Sequence, residues 1–329
     1  MIVGAMDEML GRVLGHCEIV ALLGRGGMGA VYRGVHRPLK QERAIKVLRA
    51  DLANEPDVVE RFYREAMISA SLHHPNIVLI YDVGNDDGLQ FLVMDLLEGV
   101  TLRDVIRSSA PLPVERTVHL LGQLASALDY AHGRGVVHRD IKPGNVMVGD
   151  GDRVTLVDFG IARAADEARL TRSGMVVGTA EYMAPEAFAS GGSDQSGDRY
   201  ALGILAYELL TGRVPFRGNP TAVSYSHVHA PPPTPRSLNP QMPEAVERVL
   251  LRQIAKQPSD RYPDSRSFVQ ALGAAAQASA QRSRTVDDNA ITYPPARPVR
   301  GPSTPPPRPQ SGPNAPAYPG SPAGPYTAP

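Results

Sequence analysis

The run Val137-His138-Arg139-Asp140-Ile141-Lys142-Pro143-Gly144-Asn145, followed by Leu156-Val157-Asp158-Phe159-Gly160, decides the reading of this chain. Two carboxylates, an amide and a lysine stand in adjoining turns, with Asp158 thirteen residues beyond Asn145. This set suits phosphoryl transfer, in which one acidic group accepts a hydroxyl proton, an acid and an amide hold a cation, and an ammonium offsets charge on the migrating group. A solvated surface loop has no need of that combination.

Working back towards the N-terminus, Gly24, Gly26 and Gly29 followed by Val31 give G-x-G-x-x-G-x-V. The missing side chains let backbone N–H groups approach phosphate oxygens closely. A dinucleotide-binding fold would follow such glycines with a helix. Here Ala30 to Val35 is β-branched and short, so the loop reads as a strand-to-strand hairpin. No G-x-x-x-x-G-K-[S/T] run occurs, which argues against a P-loop site. Lys46 in Ala44-Ile45-Lys46 falls on the next strand, where it can act as a point charge on phosphate. Its natural partner is Glu65 in Arg61-Phe62-Tyr63-Arg64-Glu65-Ala66. By themselves, an edge lysine and a solvated helix glutamate would look the same.

Strand-like runs at 18–23, 30–35 and 44–48 precede a helical stretch at 56–72, and two more strands are expected at 77–83 and 89–94. Helices dominate thereafter. Between Val114 and His132, apolar residues at 114, 118, 121, 124, 125, 128 and 131 form a stripe on one helical face. Tyr200 to Leu210 has Glu208 as its only strongly polar member, which places that helix inside a lobe. The expected architecture is α+β: a small antiparallel sheet lobe with one main helix, then a larger, mostly helical lobe.

Proline marks the far end: 14 of the 31 prolines lie in the last 49 residues. That composition cannot bury enough apolar surface to fold, and a disordered Pro-rich tail is expected from 276 to 329. Its Pro-x-x-Pro spacings, Pro295 to Pro298 and Pro306 to Pro309, suit an extended segment that a proline-binding partner could grip. Lys plus Arg number 34 and Asp plus Glu 34, so no global field draws the chain to nucleic acid. The single cysteine, Cys17, excludes an intrachain disulfide framework. No apolar run reaches the roughly 18 to 20 residues of a membrane span. A cytoplasmic location is expected, although a chain cut before a downstream span would read the same way.

With its motifs in this order, the chain resembles the protein-kinase family, specifically the bacterial eukaryotic-like Ser/Thr protein kinases. The resemblance covers residues 17–275, leaving 1–16 as an N-terminal extension, with a sheet lobe at 17–95, a hinge at 95–97 and a helical lobe at 98–275. It implies ATP and Mg²⁺ as cofactors, with Mn²⁺ as an alternative metal. Asp140 would be the catalytic base and Lys142 the stabiliser of the transferred phosphoryl group, with Asn145 and Asp158 as metal ligands. Lys46, held by Glu65, would grip the α and β phosphates. Leu23, Gly24, Arg25, Gly26, Gly27, Met28, Gly29, Ala30 and Val31 would cover the nucleotide. Adenine would sit between Val31 and Ala44 on one side and Met147 on the other, its edge on the backbone from Asp95 to Leu97, behind Met94.

Glu186 in Ala184-Pro185-Glu186 is expected to pair with Arg261, and Asp198 to anchor the catalytic-loop backbone. His138 and Phe159 resemble the stack that joins the lobes. Lys142 with Thr179, the substrate-positioning residue, implies Ser or Thr acceptors on protein substrates. Thr171 and Ser173 are the expected autophosphorylation sites, with Arg139 available to a phosphate there. A homodimer would serve autophosphorylation in trans, and Thr285 reads either as a plain linker threonine or as a site for a phosphothreonine-reading partner. Two departures from the family pattern are mild: Arg43 replaces a small apolar residue before Ala44, and Ser69 is smaller than usual at its helix position. The alternative is a pseudokinase scaffold that recruits partners through its tail, for which a lost Lys, Asp or Asn would be the signature.

Overall fold

The computed structural model describes residues 9–159, 180–190 and 194–290, apart from the side chains of residues 65, 189, 190 and 283–290. The chain divides into two compact units, Met1–Thr285 and Val286–Pro329. Alternation builds the first lobe: in Gly29–His36 (β3), Ala30, Tyr32 and Gly34 turn to the buried face while Arg33 is exposed. With Val13–Leu14 (β1), Cys17–Gly26 (β2), Gln41–Leu48 (β4), Ile80–Asp86 (β5) and Leu89–Asp95 (β6), it forms a sheet of order β1-β2-β3-β4-β6-β5. All neighbouring strands are antiparallel. A short helix, Ala50–Ala53 (α1), precedes the main one, Pro56–Ala70 (α2), which starts on a proline whose missing N–H has no helical partner to lose. Val58, Phe62 and Ala66 recur at helical spacing and pack in one apolar cluster with Ala44, Leu92 and Met94.

The second lobe begins with Val100–Thr101 (β7), Leu102–Ser109 (α3) and Val114–His132 (α4). Val146–Gly149 (β8) and Arg153–Leu156 (β9) complete a three-stranded antiparallel sheet with β7. Then come Pro185–Ser190 (α5), Gln195–Thr211 (α6), Pro220–His229 (α7), Pro235–Leu238 (α8), Glu244–Gln253 (α9) and Ser265–Ala290 (α10). The core lies between α4 and α6, where Leu120, Leu124, Leu128, Tyr200, Leu202, Leu205 and Leu209 are all essentially inaccessible. Each such leucine contributes roughly 1.5 to 3 kcal/mol by leaving water. Asp194 caps α6 through the N–H groups of Ser196 and Gly197, and Gly212, at φ 81°, ends it in the left-handed conformation that glycine adopts without a steric penalty. Glu208, the strongly polar member of the 200–210 stretch, accepts a hydrogen bond of 2.6 Å from the Tyr182 hydroxyl. Burial pushes the Glu208 carboxyl upward, and burial and the Glu208 charge push the Tyr182 phenol upward too.

Three boundaries differ from expectation. The sheet starts before residue 17: Leu14 is fully buried, and Gly11 N–H donates to Ile19 O at 2.8 Å. A two-residue strand is too short to show periodicity. The segment from His73 to Val78, expected in the sheet lobe, is tied to the helical lobe. His74 Nε2 meets Ser126 Oγ at 3.1 Å, Asn76 Nδ2 donates to Val154 O at 2.7 Å, and Ile77 bridges to Leu156. β5 accordingly opens at Ile80 rather than residue 77. Finally, α10 crosses the tail boundary expected at 276 and runs to Ala290. Its Gly273-Ala274-Ala275-Ala276-Gln277-Ala278 stretch favours helix, and the prolines that set the boundary begin only at Pro294. Packing ends earlier, since Ala276 is the last buried apolar residue of α10 among those described. The tail from 291 onwards lies outside the described residues.

Candidate active site

The catalytic-loop candidate is built around one buried carboxylate. Asp198, in the first turns of α6, accepts hydrogen bonds from the backbone N–H of His138 and of Arg139, both at 2.7 Å. This tether holds Arg139 at φ 66°, a region a side-chain-bearing residue enters only when its surroundings demand it. His132 Nε2 lies 2.8 Å from the same carboxylate. Sequence reasoning gave His132 no role, although it stands four residues after Leu128 on the apolar stripe of α4. A histidine on a buried stripe needs a polar partner, and that was the available signal.

The loop presents Asp140 next to Lys142 and Asn145. Lys142 Nζ donates to Asp140 Oδ2 at 2.6 Å, and Asn145 Nδ2 donates to Asp140 Oδ2 at 2.9 Å and to its main-chain O at 2.8 Å. Asn145 thus uses its amide donors on Asp140, so a bound cation would meet its side-chain carbonyl oxygen. Asp140 Oδ1 is buried without a hydrogen-bond partner among the described residues. An isolated buried carboxylate oxygen carries a desolvation penalty that an incoming donor would relieve. His138, fully buried, packs on Phe159 with ring centroids 4.7 Å apart. Its Nδ1 accepts from Asp140 N–H and its Nε2 lies 3.2 Å from Val157 O, so the ring is a neutral, Nε2-protonated imidazole. Burial lowers its pKa, against the pull of Asp198 and Asp140.

From the other lobe, Lys46 on β4 reaches Asp158, its Nζ 2.6 Å from Oδ1 across 112 positions of sequence. Burial works against ionisation of Asp158, but the Lys46 ammonium outweighs it and holds the carboxyl below its usual range. Val157 N–H donates to Asn145 O at 2.9 Å, so the strand pair β8–β9 carries Asn145 and Asp158 side by side. Glu65 falls on α2, while its side chain lies outside the described residues.

Above this pair, the hairpin of β2 and β3 spans Leu23 to Val31, with Gly26 paired to Gly29. Gly29 is sterically required: a Cβ there would sit 1.9 Å from Val47 O. Cβ atoms at Gly24 and Gly26 would meet nothing within 4 Å, so these two leave space rather than avoid the chain itself. Leu23 and Arg25 are exposed and Met28 half-buried on the same hairpin. Ala44 and Met94, cross-strand partners, share an apolar cluster with Val31, Leu97 and Val157. On β8, alternation sends Val146 and Val148 into the helical core and leaves Met147 half-buried on the opposite face. Asp95 ends β6 and opens the 95–97 connection.

Arg261 and Glu186 form a bidentate pair of 2.7 and 2.8 Å, and Arg261 also donates to Ser196 O, Ala255 O and Lys256 O. Beside it, His227 is fully buried, 2.8 Å from the Tyr200 hydroxyl, and burial next to Lys256 pushes its pKa down to about 3. Thr171, Ser173 and Thr179 lie outside the described residues. No group of three or more His, Cys, Asp or Glu suited to a metal occurs among the described residues. A Mg²⁺ held by one carboxylate, one amide oxygen and phosphate oxygens needs no such group.

A sheet lobe and a helical lobe thus bring a lysine, two aspartates and an asparagine together beside a glycine hairpin. The chain belongs to the protein kinase domain family, whose model matches residues 17–271. It is 40% identical over 252 residues to Serine/threonine-protein kinase PrkC of Bacillus subtilis, covering 76% of this chain and 39% of PrkC. It is 43% identical over 260 residues to Serine/threonine-protein kinase PknH of Mycobacterium bovis, covering 78% of this chain and 44% of PknH. The crystal structure of the Mycobacterium tuberculosis PknI kinase domain superposes with a TM-score of 0.66 at 32% identity, covering 81% of this chain and 98% of that one. The chain therefore spans about two fifths of the length of the curated relatives described. No helix among the described residues is long and apolar enough to cross a membrane.

Proposed function

We propose that this chain is an ATP- and Mg²⁺-dependent protein kinase that transfers the γ-phosphoryl group to Ser and Thr hydroxyls of proteins. The observation that carries this reading is the convergence of Lys46, Asp140, Asn145 and Asp158 from two lobes onto one short span of space. Asp140 accepts the proton of the acceptor hydroxyl at its unpartnered Oδ1 as that hydroxyl oxygen bonds to the γ-phosphorus. The bond from the γ-phosphorus to the bridging oxygen breaks, and ADP leaves with the electron pair. Lys142, already beside Asp140, offsets charge on the transferred group. Lys46 positions the α and β phosphates, and Asn145 and Asp158 supply the metal's protein oxygens. The metal, when bound, neutralises charge on the phosphate oxygens. Space at Gly24 and Gly26 admits phosphate to the backbone N–H groups. Autophosphorylation of Thr171 and Ser173, in trans within a homodimer, completes the proposal.

The test is incubation of purified protein with labelled ATP, Mg²⁺ and a Ser/Thr-containing acceptor, alongside Lys46→Met and Asp140→Asn. Label on Ser or Thr with wild type alone is expected. Equal labelling by Asp140→Asn would remove that residue from the role of base, and an unlabelled wild type would remove the reading itself.

A further inference from the structure

The 95–97 connection begins at a cluster of three side chains from three strands. Arg43 on β4 is the cross-strand partner of Asp95 at the end of β6, and its guanidinium lies 4.0 Å from the ring centroid of Tyr81 on β5. The Tyr81 hydroxyl donates to Asp95 Oδ1 at 2.7 Å, and Asp95 N–H donates to Leu79 O at 3.0 Å. Tyr81 reaches this position through an irregularity in pairing: Ile80 pairs with Met94 and Asp82 with Val93, which leaves Tyr81 as the extra residue of a bulge. Bulges re-aim a side chain that regular alternation would send elsewhere.

Each contact alone is an ordinary surface interaction. Their meeting point is not ordinary, because Asp95 is where the sheet ends and the inter-lobe connection begins. Arg43 is anchored in turn to Glu42 O and Gln41 Oε1 on its own strand. Leu96 and Leu97, immediately beyond, pack against the apolar cluster that includes Ala44 and Met94. The backbone that would face adenine is thus held from inside by apolar packing and from outside by the Arg43, Tyr81 and Asp95 side chains.

We infer that Arg43 and Tyr81 are positioning residues for the nucleotide, holding Asp95 so that the 95–97 backbone keeps the geometry adenine requires. This rests on the ATP-dependent reading above and adds two residues that do not touch the phosphates. Because the clamp acts at the adenine end, its loss weakens binding of adenosine and ATP alike and leaves the transfer step itself alone.

The experiment measures kcat and KM for ATP, and the dissociation constants of ATP and adenosine, for the full chain and for Tyr81→Phe, Arg43→Leu and Arg43→Lys. Tyr81→Phe keeps the ring and loses one hydrogen bond to a carboxylate, so KM for ATP should rise about fivefold with kcat within about twofold. The adenosine dissociation constant should rise by the same factor. Arg43→Leu should act in the same direction, and Arg43→Lys, which keeps a cation near the ring, should recover most of the loss. Melting temperatures are recorded in parallel, since a purely structural role would lower them without separating KM from kcat. Unchanged KM and adenosine affinity in both Tyr81→Phe and Arg43→Leu would overturn the clamp while leaving the kinase reading intact. A wild type that binds neither ATP nor adenosine would overturn both.

Discussion

Two of the ion pairs that join distant parts of this chain are built in opposite ways. Glu186 and Arg261, 75 positions apart, meet through two parallel hydrogen bonds, and the remaining guanidinium donors are taken by main-chain oxygens. Lys46 and Asp158, 112 positions apart, share one contact on a half-buried surface, and nearby Asp140 keeps a buried oxygen without a partner among the described residues. A saturated pair has nothing left to offer a ligand and stabilises the fold. An undersaturated cluster holds the same kinds of group ready for something that arrives. The number of unmet hydrogen-bonding positions, rather than the presence of charge, separates the two.

The sharpest way to break this contrast is to exchange the consequences. Asp140→Asn should lower kcat by about 10² to 10⁴-fold, with a smaller change in stability by denaturant titration than the one expected for Arg261→Leu. Arg261→Leu should do the reverse: it removes the bidentate partner of Glu186 and leaves several carbonyls unpaired, at an expected loss of about 3 to 5 kcal/mol. A stable Arg261→Leu variant with a lowered kcat would show that the pair is functional after all.

A smaller effect concerns protons. Burial keeps the fully enclosed His227 neutral in the folded state down to a pKa of about 3, against an ordinary value of 6.5, and shifts His138 in the same direction. The unfolded chain takes up a proton on His227 as pH falls through about 6.5 and the folded chain does not. Stability from this ring is therefore present above that value and lost below it, by about 2 kcal/mol at pH 5. In urea titrations, wild type should lose about 2 kcal/mol more unfolding free energy than His227→Gln between pH 7 and pH 5. Smallest of all, Tyr182→Phe removes the donor that satisfies Glu208 and should destabilise by about 1 to 2 kcal/mol, read as a lower denaturation midpoint with unchanged KM for ATP.

What could be read beforehand follows from how locally each feature is written. Helix α4 was legible to its end residues, because its apolar stripe runs the full length, and α6 stood out through a lack of polar residues. The letters of the candidate site are equally local: Asp140, Lys142 and Asn145 share one turn, and Asp158 follows closely. Contacts between lobes are not written locally. The 2.6 Å contact of Lys46 with Asp158 joins residues 112 positions apart, and the expected partner Glu65 has its side chain outside the described residues. Leu14 escaped because two residues carry no period, and the 276 boundary failed because proline content marks where folding must stop, not where helix does stop. Tyr81 is hidden for a related reason: a bulge is a break in alternation, and alternation is the signal a strand leaves in sequence.

The stitching of residues 76–78 to β9 has a mechanical meaning. Val78 N–H donates to Leu156 O at 3.0 Å and Leu156 N–H to Asn76 O at 2.8 Å, so the sheet lobe is moored there as well as at 95–97. Each mooring fixes one end of the border between the lobes, and the Lys46 to Asp158 contact adds a third link that any separation of the lobes has to break.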